Sequence, residues 1–349
     1  MNRREFVKTI AAISVGAVAS KNNRSKASAE NKTMIDIWYG DEQRFGHLGL
    51  PQRWINVLGR VDPRRVVDLQ YTLDDAAPQP LSIGPDGHRL AAPGDFNLEL
   101  AFDALTTGRH TLAIIATDSD GNSVQHNVTL VMEERKRCPL PHRIQWNQVS
   151  RIQDAAQIVD GRWELTARGV RVVEPYYDRV IALGDLSWTD YEIRTIVTFH
   201  GLRVPNKEQG DAGANVIHAA LAVRWPGHDM DERQPHVKWY PLGATAEFRV
   251  NPSWKGCSWR ILGGGGIVAE ETEKRAIELE QPYAMKHRVE STRDSAARYR
   301  VKLWETGMPE PEDWDVELLK EPSDVHQGGA LLIAHYSAVT FGDLEVLPV

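Results

Sequence analysis

Residues 216–225 read Val-Ile-His-Ala-Ala-Leu-Ala-Val-Arg-Trp, a run in which apolar side chains alternate with small and polar ones. Alternate side chains of a β-strand point to opposite faces, so this run predicts a strand with one face on a core. The apolar face comprises Ile217, Ala219, Leu221, Val223 and Trp225. The opposite face comprises His218, Ala220, Ala222 and Arg224, which predicts a shallow polar groove ending in a guanidinium.

Similar short runs, bounded by glycine, proline, asparagine and aspartate, recur along the chain, and no segment after residue 30 shows sustained helical periodicity. This pattern is typical of an all-β protein. In the first part of the chain, strands are predicted over 54–59, 67–73, 96–100, 110–118 and 123–130. In the second part, they are predicted over 162–166, 179–184, 190–200, 216–225, 236–240, 244–250, 258–262, 283–290, 298–305, 329–336 and 339–347.

The length of 349 residues suits two domains, each large enough to bury its own core. We expect one domain over 34–133 and a second over 144–349, joined by a linker over 134–143 that is charged and contains prolines. The formal net charge of −7 disfavours binding to nucleic acid.

The first 29 residues have the features of an export signal. An arginine pair at Arg3 and Arg4 resembles a twin-arginine signal, and the apolar stretch over 9–19 is shorter than the about 20 residues that span a membrane. The small residues over 27–29 fit a signal-peptidase site. We therefore expect an exported protein, periplasmic, at the cell surface or extracellular, with no membrane span after cleavage. An uncleaved N-terminal anchor is the alternative.

The chain has two cysteines, Cys138 and Cys257, which are too few for a disulfide scaffold or a four-cysteine zinc site. An exported protein meets an oxidising compartment, so a disulfide between them is allowed. Two unpaired buried thiols are the alternative, and the sequence leaves both open.

The segment Leu-Thr-Thr-Gly-Arg-His-Thr-Leu-Ala-Ile-Ile-Ala-Thr-Asp-Ser-Asp-Gly-Asn-Ser over 105–123, with the strand around Tyr71, resembles a bacterial immunoglobulin-like domain of the fibronectin or cadherin-like kind. The resemblance covers nearly all of 34–133. It implies a β-sandwich, here without the two-cysteine pattern of antibody domains.

Three passages of the second part, over 184–197, 299–314 and 328–346, resemble the concanavalin A-like lectin/glucanase superfamily, and the last is similar to its laminin-G-like form. This resemblance implies a jelly-roll sandwich with a concave sheet on which glycans lie. The superfamily includes lectins, glycan-binding modules, hydrolases and lyases, so the resemblance leaves the activity open. It also allows a structural calcium ion, whose ligands the sequence does not identify.

The best candidate site combines planar polar groups, which form paired hydrogen bonds with sugar hydroxyls, with aromatic rings that stack on sugar rings. Its predicted ligand-binding residues are His218, Arg224, His228, Gln234, Trp239, Glu247 and Arg249. The alternative is that these side chains are ordinary core or surface residues that bind no ligand.

Catalytic residues are not identified by any standard motif, because the paired carboxylates of the glucanases are missing. Weak candidates are Glu247, His236 and Tyr240. A non-standard carboxylate pair is open among Glu174, Asp178, Asp229, Asp231 and Glu247. A lyase would instead need a histidine or tyrosine base beside an arginine or glutamine.

The sequence therefore predicts an exported protein that binds a poly- or oligosaccharide on the concave face of its second domain. A polysaccharide hydrolase or lyase with non-standard residues is one alternative, and a structural or adhesion protein is another. No cofactor is expected to be required. The sequence offers one metal-like grouping, His228 and His236 with Asp229 and Asp231, which we interpret as surface-loop residues. It predicts no oligomeric state.

Overall fold

The computed structural model describes residues 34–90, 92–206, 208, 211, 216–237, 244–263, 266–293, 296–320 and 325–349. The predicted export signal, Trp239 and Tyr240 lie outside these residues. Met34–Val349 form one compact unit. Within the described part of the chain, no helix is both long enough and apolar enough to cross a membrane.

The first part of the chain forms a three-stranded and a five-stranded sheet. Its strands are β1 (Ile35–Ile37), β2 (Glu42–Phe45), β3 (Trp54–Val61), β4 (Val66–Leu73), β5 (Gln79–Pro80), β6 (Asp95–Ala101), β7 (Gly108–Asp118) and β8 (Ser123–Met132). The strand orders are β1-β3-β6 and β2-β8-β7-β4-β5, and all neighbours are antiparallel except β2 and β8. A 3-10 helix, Phe102–Ala104, follows β6.

The second part forms a seven-stranded and an eight-stranded sheet. Its strands are β9 (His142–Ile144), β10 (Gln157–Asp160), β11 (Trp163–Thr166), β12 (Gly169–Val172), β13 (Arg179–Leu183), β14 (Tyr191–Leu202), β15 (Ile217–Trp225), β16 (Ala244–Val250), β17 (Ser258–Gly263), β18 (Gly266–Glu270), β19 (Pro282–Ser291), β20 (Ala297–Glu305), β21 (Val316–Lys320), β22 (Gly329–His335) and β23 (Ser337–Pro348). The orders are β10-β13-β22-β15-β16-β17-β18 and β11-β12-β23-β14-β19-β20-β21, with β9 paired to β23. Two further 3-10 helices are Trp146–Gln148 and Ile152–Asp154.

The predicted all-β class is confirmed, and most predicted strands are present at nearly the predicted bounds. The strand predicted over 236–240 is not observed in its described part, because residues 236 and 237 have no strand pairing. The immunoglobulin-like assignment and the domain boundaries stay predictions. Cys138 and Cys257 are both buried and free, which corresponds to the alternative of two unpaired buried thiols.

Apolar side chains pack in three clusters. One fills the first pair of sheets, and a larger one lies between the seven- and eight-stranded sheets. The third is on the other face of the seven-stranded sheet and includes Val159, Val180, Ala220, Ala222, Trp225 and Leu331. The seven-stranded sheet is therefore apolar on both faces over β10, β13, β22 and part of β15, as expected for a sheet covered on both sides.

A buried polar network joins β6 of the first part to β10 of the second. The guanidinium of Arg89, 2% exposed, donates to Glu99 at 2.7 Å and to Asp160 at 2.9 Å. Asn97 donates to the carbonyl of Val159 at 2.8 Å and to Asp160 at 2.9 Å. Because buried charges require partners, these contacts fix how the two parts of the chain pack.

We expect Arg89→Met to lower the free energy of unfolding by about 3–5 kcal/mol, because Glu99 and Asp160 would lose their buried guanidinium. Arg109→Met is the matched control, since Arg109 pairs with Glu42 at the surface and its loss should change stability by less than about 1 kcal/mol. Urea unfolding of both variants measures this. Equal effects would contradict the role given to Arg89.

Burial lowers the pKa of His287, a core residue of β19, to about 4. As the pH falls below the ordinary pKa of 6.5, the unfolded chain binds a proton at this histidine before the folded protein does. The folded state therefore loses stability relative to the unfolded state as the pH falls from 6.5 toward 4. Between about pH 7 and about pH 5, the wild type should therefore lose ~2 kcal/mol more stability than His287→Gln, which does not titrate. Urea unfolding at both pH values tests this, and parallel losses would contradict it.

Candidate functional site

Polar side chains of four neighbouring strands stand together on the seven-stranded sheet, on the face opposite the main core. His218 of β15 lies across from His335 of β22 on one side and from Arg249 of β16 on the other. Two positions along, Glu247 of β16 lies across from Arg260 of β17. We call these five residues, together with Asp178, the polar face.

Asp178 enters the polar face because it immediately precedes β13, the other neighbour of β22. Its Oδ1 lies 2.6 Å from Nδ1 of His335. The His335 ring stacks on the His218 ring at 4.6 Å between centroids, with 6° between the planes. The Tyr177 ring meets His335 edge-on at 5.0 Å. The His335 imidazole thus contacts the Asp178 carboxylate and the rings of Tyr177 and His218.

Glu247 is a buried carboxyl group on the floor of the polar face. It forms an ion pair with Arg260, and its Oε2 lies 3.6 Å from Nδ1 of His218. Burial raises the pKa of Glu247, and Arg260 offsets only part of this effect. Burial, together with His335 and nearby guanidinium groups, lowers the pKa of His218 well below its ordinary value. The floor therefore combines a neutral imidazole with a carboxyl group that takes up a proton more readily than an exposed one.

Side-chain exposure increases from the floor of the polar face to its rim. The side chain of Glu247 is 5% exposed, whereas that of Arg249 is 29% exposed and that of Glu270 is 46% exposed. Arg249 forms an ion pair with Glu270 at 3.1 Å and donates a hydrogen bond to Ser258 at 3.0 Å. A solute would therefore meet the Arg249–Glu270 pair first and the buried acid and histidine groups beneath it.

Three of the predicted ligand-binding residues, His218, Glu247 and Arg249, are brought together on this face. Two others, His228 and Gln234, lie elsewhere, in the segment 226–237 that follows β15, as does the weak catalytic candidate His236. Gln234 exchanges two side-chain hydrogen bonds with the backbone of Glu99, at 2.8 and 2.9 Å. The buried side chain of His228 lies 3.4 Å from Glu99, and His236 contacts Trp54 at 4.6 Å between rings. Their described contacts thus join this segment to the first part of the chain.

The predicted orientations of Arg224 and Trp225 are wrong, because β15 has a register shift between Ala222 and Trp225 that breaks the simple alternation. Arg224 has a φ of 60°, and a Cβ on Gly328 would collide with its backbone, so only glycine fits there. Trp225 therefore packs with Ala220 and Ala222 in the third apolar cluster instead of the main core.

Arg224 lies apart from the polar face and is engaged by the protein itself. Its guanidinium donates to the carbonyls of Thr189 and Val325, to Asp190 at 2.8 Å and to Ser291 at 2.8 Å. With its side chain 1% exposed, Arg224 is a structural residue and does not end a groove as predicted.

The aromatic part of the predicted site is not found among the described residues. Eight tryptophans are buried, namely Trp38, Trp54, Trp146, Trp163, Trp188, Trp225, Trp259 and Trp304. Trp254 and Trp314 are half-buried. The predicted sugar-stacking ring, Trp239, and the weak catalytic candidate Tyr240 lie outside the described residues.

Two residues of the polar face, His335 and Arg260, were missed by sequence reasoning, and Asp178 entered it only as a member of an unspecified carboxylate pair. His335 ends a strand that was itself predicted, and the alternation of 329–335 places it opposite the core-facing Ala334. The missing information was the strand order, since β22 lies between β13 and β15.

No protein-family model matches the chain, and no curated protein matches it. Among solved structures, it is similar to the carbohydrate-binding module CBM66 from Bacillus subtilis, with 17% identity and a TM-score of 0.37, over 55% of this chain and 95% of that one. It is also similar to a variant of alginate lyase Aly36B in complex with an alginate tetrasaccharide, with 12% identity and a TM-score of 0.38. This match covers 60% of this chain and 98% of that one. A Bacillus subtilis protein of unknown function with a galectin-like fold has 10% identity and a TM-score of 0.32. This match covers 56% of this chain and 86% of that one. At TM-scores below 0.5, these likenesses assign no activity or residue role to this chain.

Arg224 is buried within the protein and Arg249 lies at the rim of the polar face, and this difference can be tested by mutation. We expect Arg224→Ala to destabilise the fold by about 3 kcal/mol or more, because a buried guanidinium with four described acceptors is lost. Arg249→Ala, at the half-exposed rim, should change stability by no more than about 1 kcal/mol. Thermal unfolding compares them, and the reverse ranking would contradict the structural role of Arg224.

Proposed function

We propose that this protein binds a carbohydrate chain on the polar face of its seven-stranded sheet. The observation that carries the proposal is the cross-strand row of His335, His218 and Arg249 beside the Glu247–Arg260 pair. Guanidinium, carboxylate and imidazole groups form the directional hydrogen bonds that vicinal sugar hydroxyls require. The half-exposed Arg249 and Glu270 at the rim are the first groups that such a chain would contact.

A second candidate, a polysaccharide-acting hydrolase or lyase, is favoured by a specific observation. Asp178 contacts His335 at 2.6 Å, an arrangement that orients an imidazole as a general base. The raised pKa of the buried Glu247 suits a group that donates a proton. Binding requires neither feature, so the polar face has groups suited to chemistry as well as to recognition.

We also propose that the protein is exported by the twin-arginine route, on the strength of Arg3, Arg4 and the short apolar run that follows them. An exported protein meets polysaccharides outside the cytoplasm, which agrees with the proposed partner. The third alternative, a structural or adhesion role, has no feature of the polar face in its favour, because protein adhesion requires no buried acid and imidazole groups.

The test is incubation of the protein with a panel of neutral and uronate-containing polysaccharides. Retarded migration in gels that contain the polysaccharide reports binding, new reducing ends report hydrolysis, and ultraviolet absorbance of an unsaturated uronate reports elimination. We expect at least one polysaccharide to be bound, and Arg249→Ala to weaken that binding by about 10-fold or more, because a charged hydrogen-bond donor is lost.

Arg109→Ala is the matched control, since Arg109 also pairs with a glutamate on an exposed strand but lies in the first part of the chain. It should bind as the wild type does. Products that disappear in Glu247→Gln while binding remains would support the enzyme over a pure binding protein. No binding and no product with any polysaccharide would overturn the proposal.

A further inference from the structure

Within the described residues, one group of three side chains has the composition and spacing of a metal site: Asp178, His218 and His335. One ligand atom from each residue lies within 4.8 Å of those from the other two. Both histidines are buried, and Asp178 is partly exposed. The grouping noted in the sequence around His228 and His236 is a different one, and neither of those residues belongs here.

The three residues come from adjacent parts of one rigid sheet. His335 and His218 are directly paired residues of β22 and β15, and Asp178 directly precedes β13 on the other side of β22. Beside His218, Arg249 donates to Ser258 and Glu247 pairs with Arg260. Ligands that stand on paired strands keep their spacing, which favours binding because little order is lost when an ion arrives.

A hydrogen-bonded acid–histidine pair alone does not account for all of the group. A proton between Asp178 and Nδ1 of His335 explains their 2.6 Å contact. This proton does not account for Nδ1 of His218, which is buried and has no hydrogen-bond partner among the described residues. Glu247 Oε2 is 3.6 Å from this nitrogen, which is too far for a hydrogen bond. A buried ring nitrogen without a hydrogen bond is costly, and a cation bound to it would satisfy it.

The charges also favour a cation. Asp178 and Glu247 are acidic, and Glu247 already pairs with Arg260, while Arg249 pairs with Glu270 at the rim. No arginine or lysine of the described chain forms an ion pair with Asp178, whose charged partner there is His335. Among the described residues of the polar face, Asp178 is therefore the carboxylate that has no arginine or lysine partner.

We propose that Asp178, His218 and His335 bind one divalent transition-metal ion, with zinc as the expected metal. Two imidazole nitrogens and one carboxylate oxygen are typical zinc ligands, whereas calcium and magnesium take mainly oxygen ligands. Bonds to zinc are about 2.0–2.2 Å long, so the ligand atoms of a tetrahedral ion lie about 3.3 Å apart. Binding would therefore open the 2.6 Å contact between Asp178 and His335 and draw in any ligand atom that lies as far as 4.8 Å from the others. Three protein ligands are the number found in catalytic zinc sites, where water or a substrate oxygen takes a further position.

The experiment measures metal binding without any carbohydrate, so its failure is separate from a failure of the proposed function. The full chain, produced without a histidine tag, is treated with a chelator, dialysed and titrated with zinc chloride. Elemental analysis gives the bound zinc, and calorimetry gives the affinity. Cobalt(II) then serves as an optical probe, because its visible bands report coordination by nitrogen and oxygen.

We expect one zinc ion per chain, and a higher thermal unfolding temperature when zinc is added. Asp178→Asn and His335→Gln should each weaken zinc binding by more than about 100-fold, since even the outer partners of metal ligands contribute about 10–100-fold. Asp178→Asn, at a partly exposed position, keeps the test valid if His335→Gln does not fold.

His126→Gln is the matched control, because His126 also contacts an aspartate, Asp41, at 2.8 Å but has no second histidine beside it in the described chain. It should bind zinc as tightly as the wild type. The proposal is overturned if the wild type binds less than one zinc ion per chain, or if folded Asp178→Asn binds zinc as the wild type does.

Discussion

The burial of one guanidinium, that of Arg89, determines how the two parts of the chain are arranged. Between Glu99 and Asp160, this side chain lies out of reach of water, and it also donates to the carbonyl of His236. A buried arginine is tolerated only where acceptors surround it, so β6, β10 and the segment 226–237 must all meet at this point. The seven-stranded sheet thereby has one end covered by the first part of the chain.

The outer face of the seven-stranded sheet has two regions, one apolar and one polar. Over β10, β13 and β22 as far as Ile333, the face is apolar and includes Val159, Val180 and Leu331, whereas His335 at the end of β22 belongs to the polar face. Toward β16 and β17 it becomes polar, with Glu247, Arg249 and Arg260. Polar groups are retained where they have ionic partners within the sheet, and apolar ones where neighbouring elements exclude water. The functional candidates are therefore confined to one part of the sheet by the same packing that stabilises the fold.

The fold class and most strands were predictable because alternation is a local property of the sequence. The run over 216–222 gives the correct faces for Ala219, Leu221 and His218. The prediction fails at Arg224 and Trp225, because a register shift depends on the partner strand and on Gly328, about a hundred positions along the chain. The short edge strand β18 was missed as well, since a few residues carry too little pattern to be recognised.

The site was predictable only in part, for a related reason. His218, Glu247 and Arg249 lie on two consecutive strands of one hairpin, so their common face follows from alternation and the pairing of neighbours. Asp178 and His335 are 157 positions apart, and they meet because β22 inserts between β13 and β15. Nothing local specifies this insertion.

Residues of two consecutive strands can be assigned to a common face from the sequence, whereas residues of strands distant in sequence are brought together only by the order of strands in the sheet. The sequence accordingly reveals His218, Glu247 and Arg249, and it conceals the contact between Asp178 and His335. The contact between Asp178 and His335 is the observation that adds acid–base and metal chemistry to the functions proposed for this face.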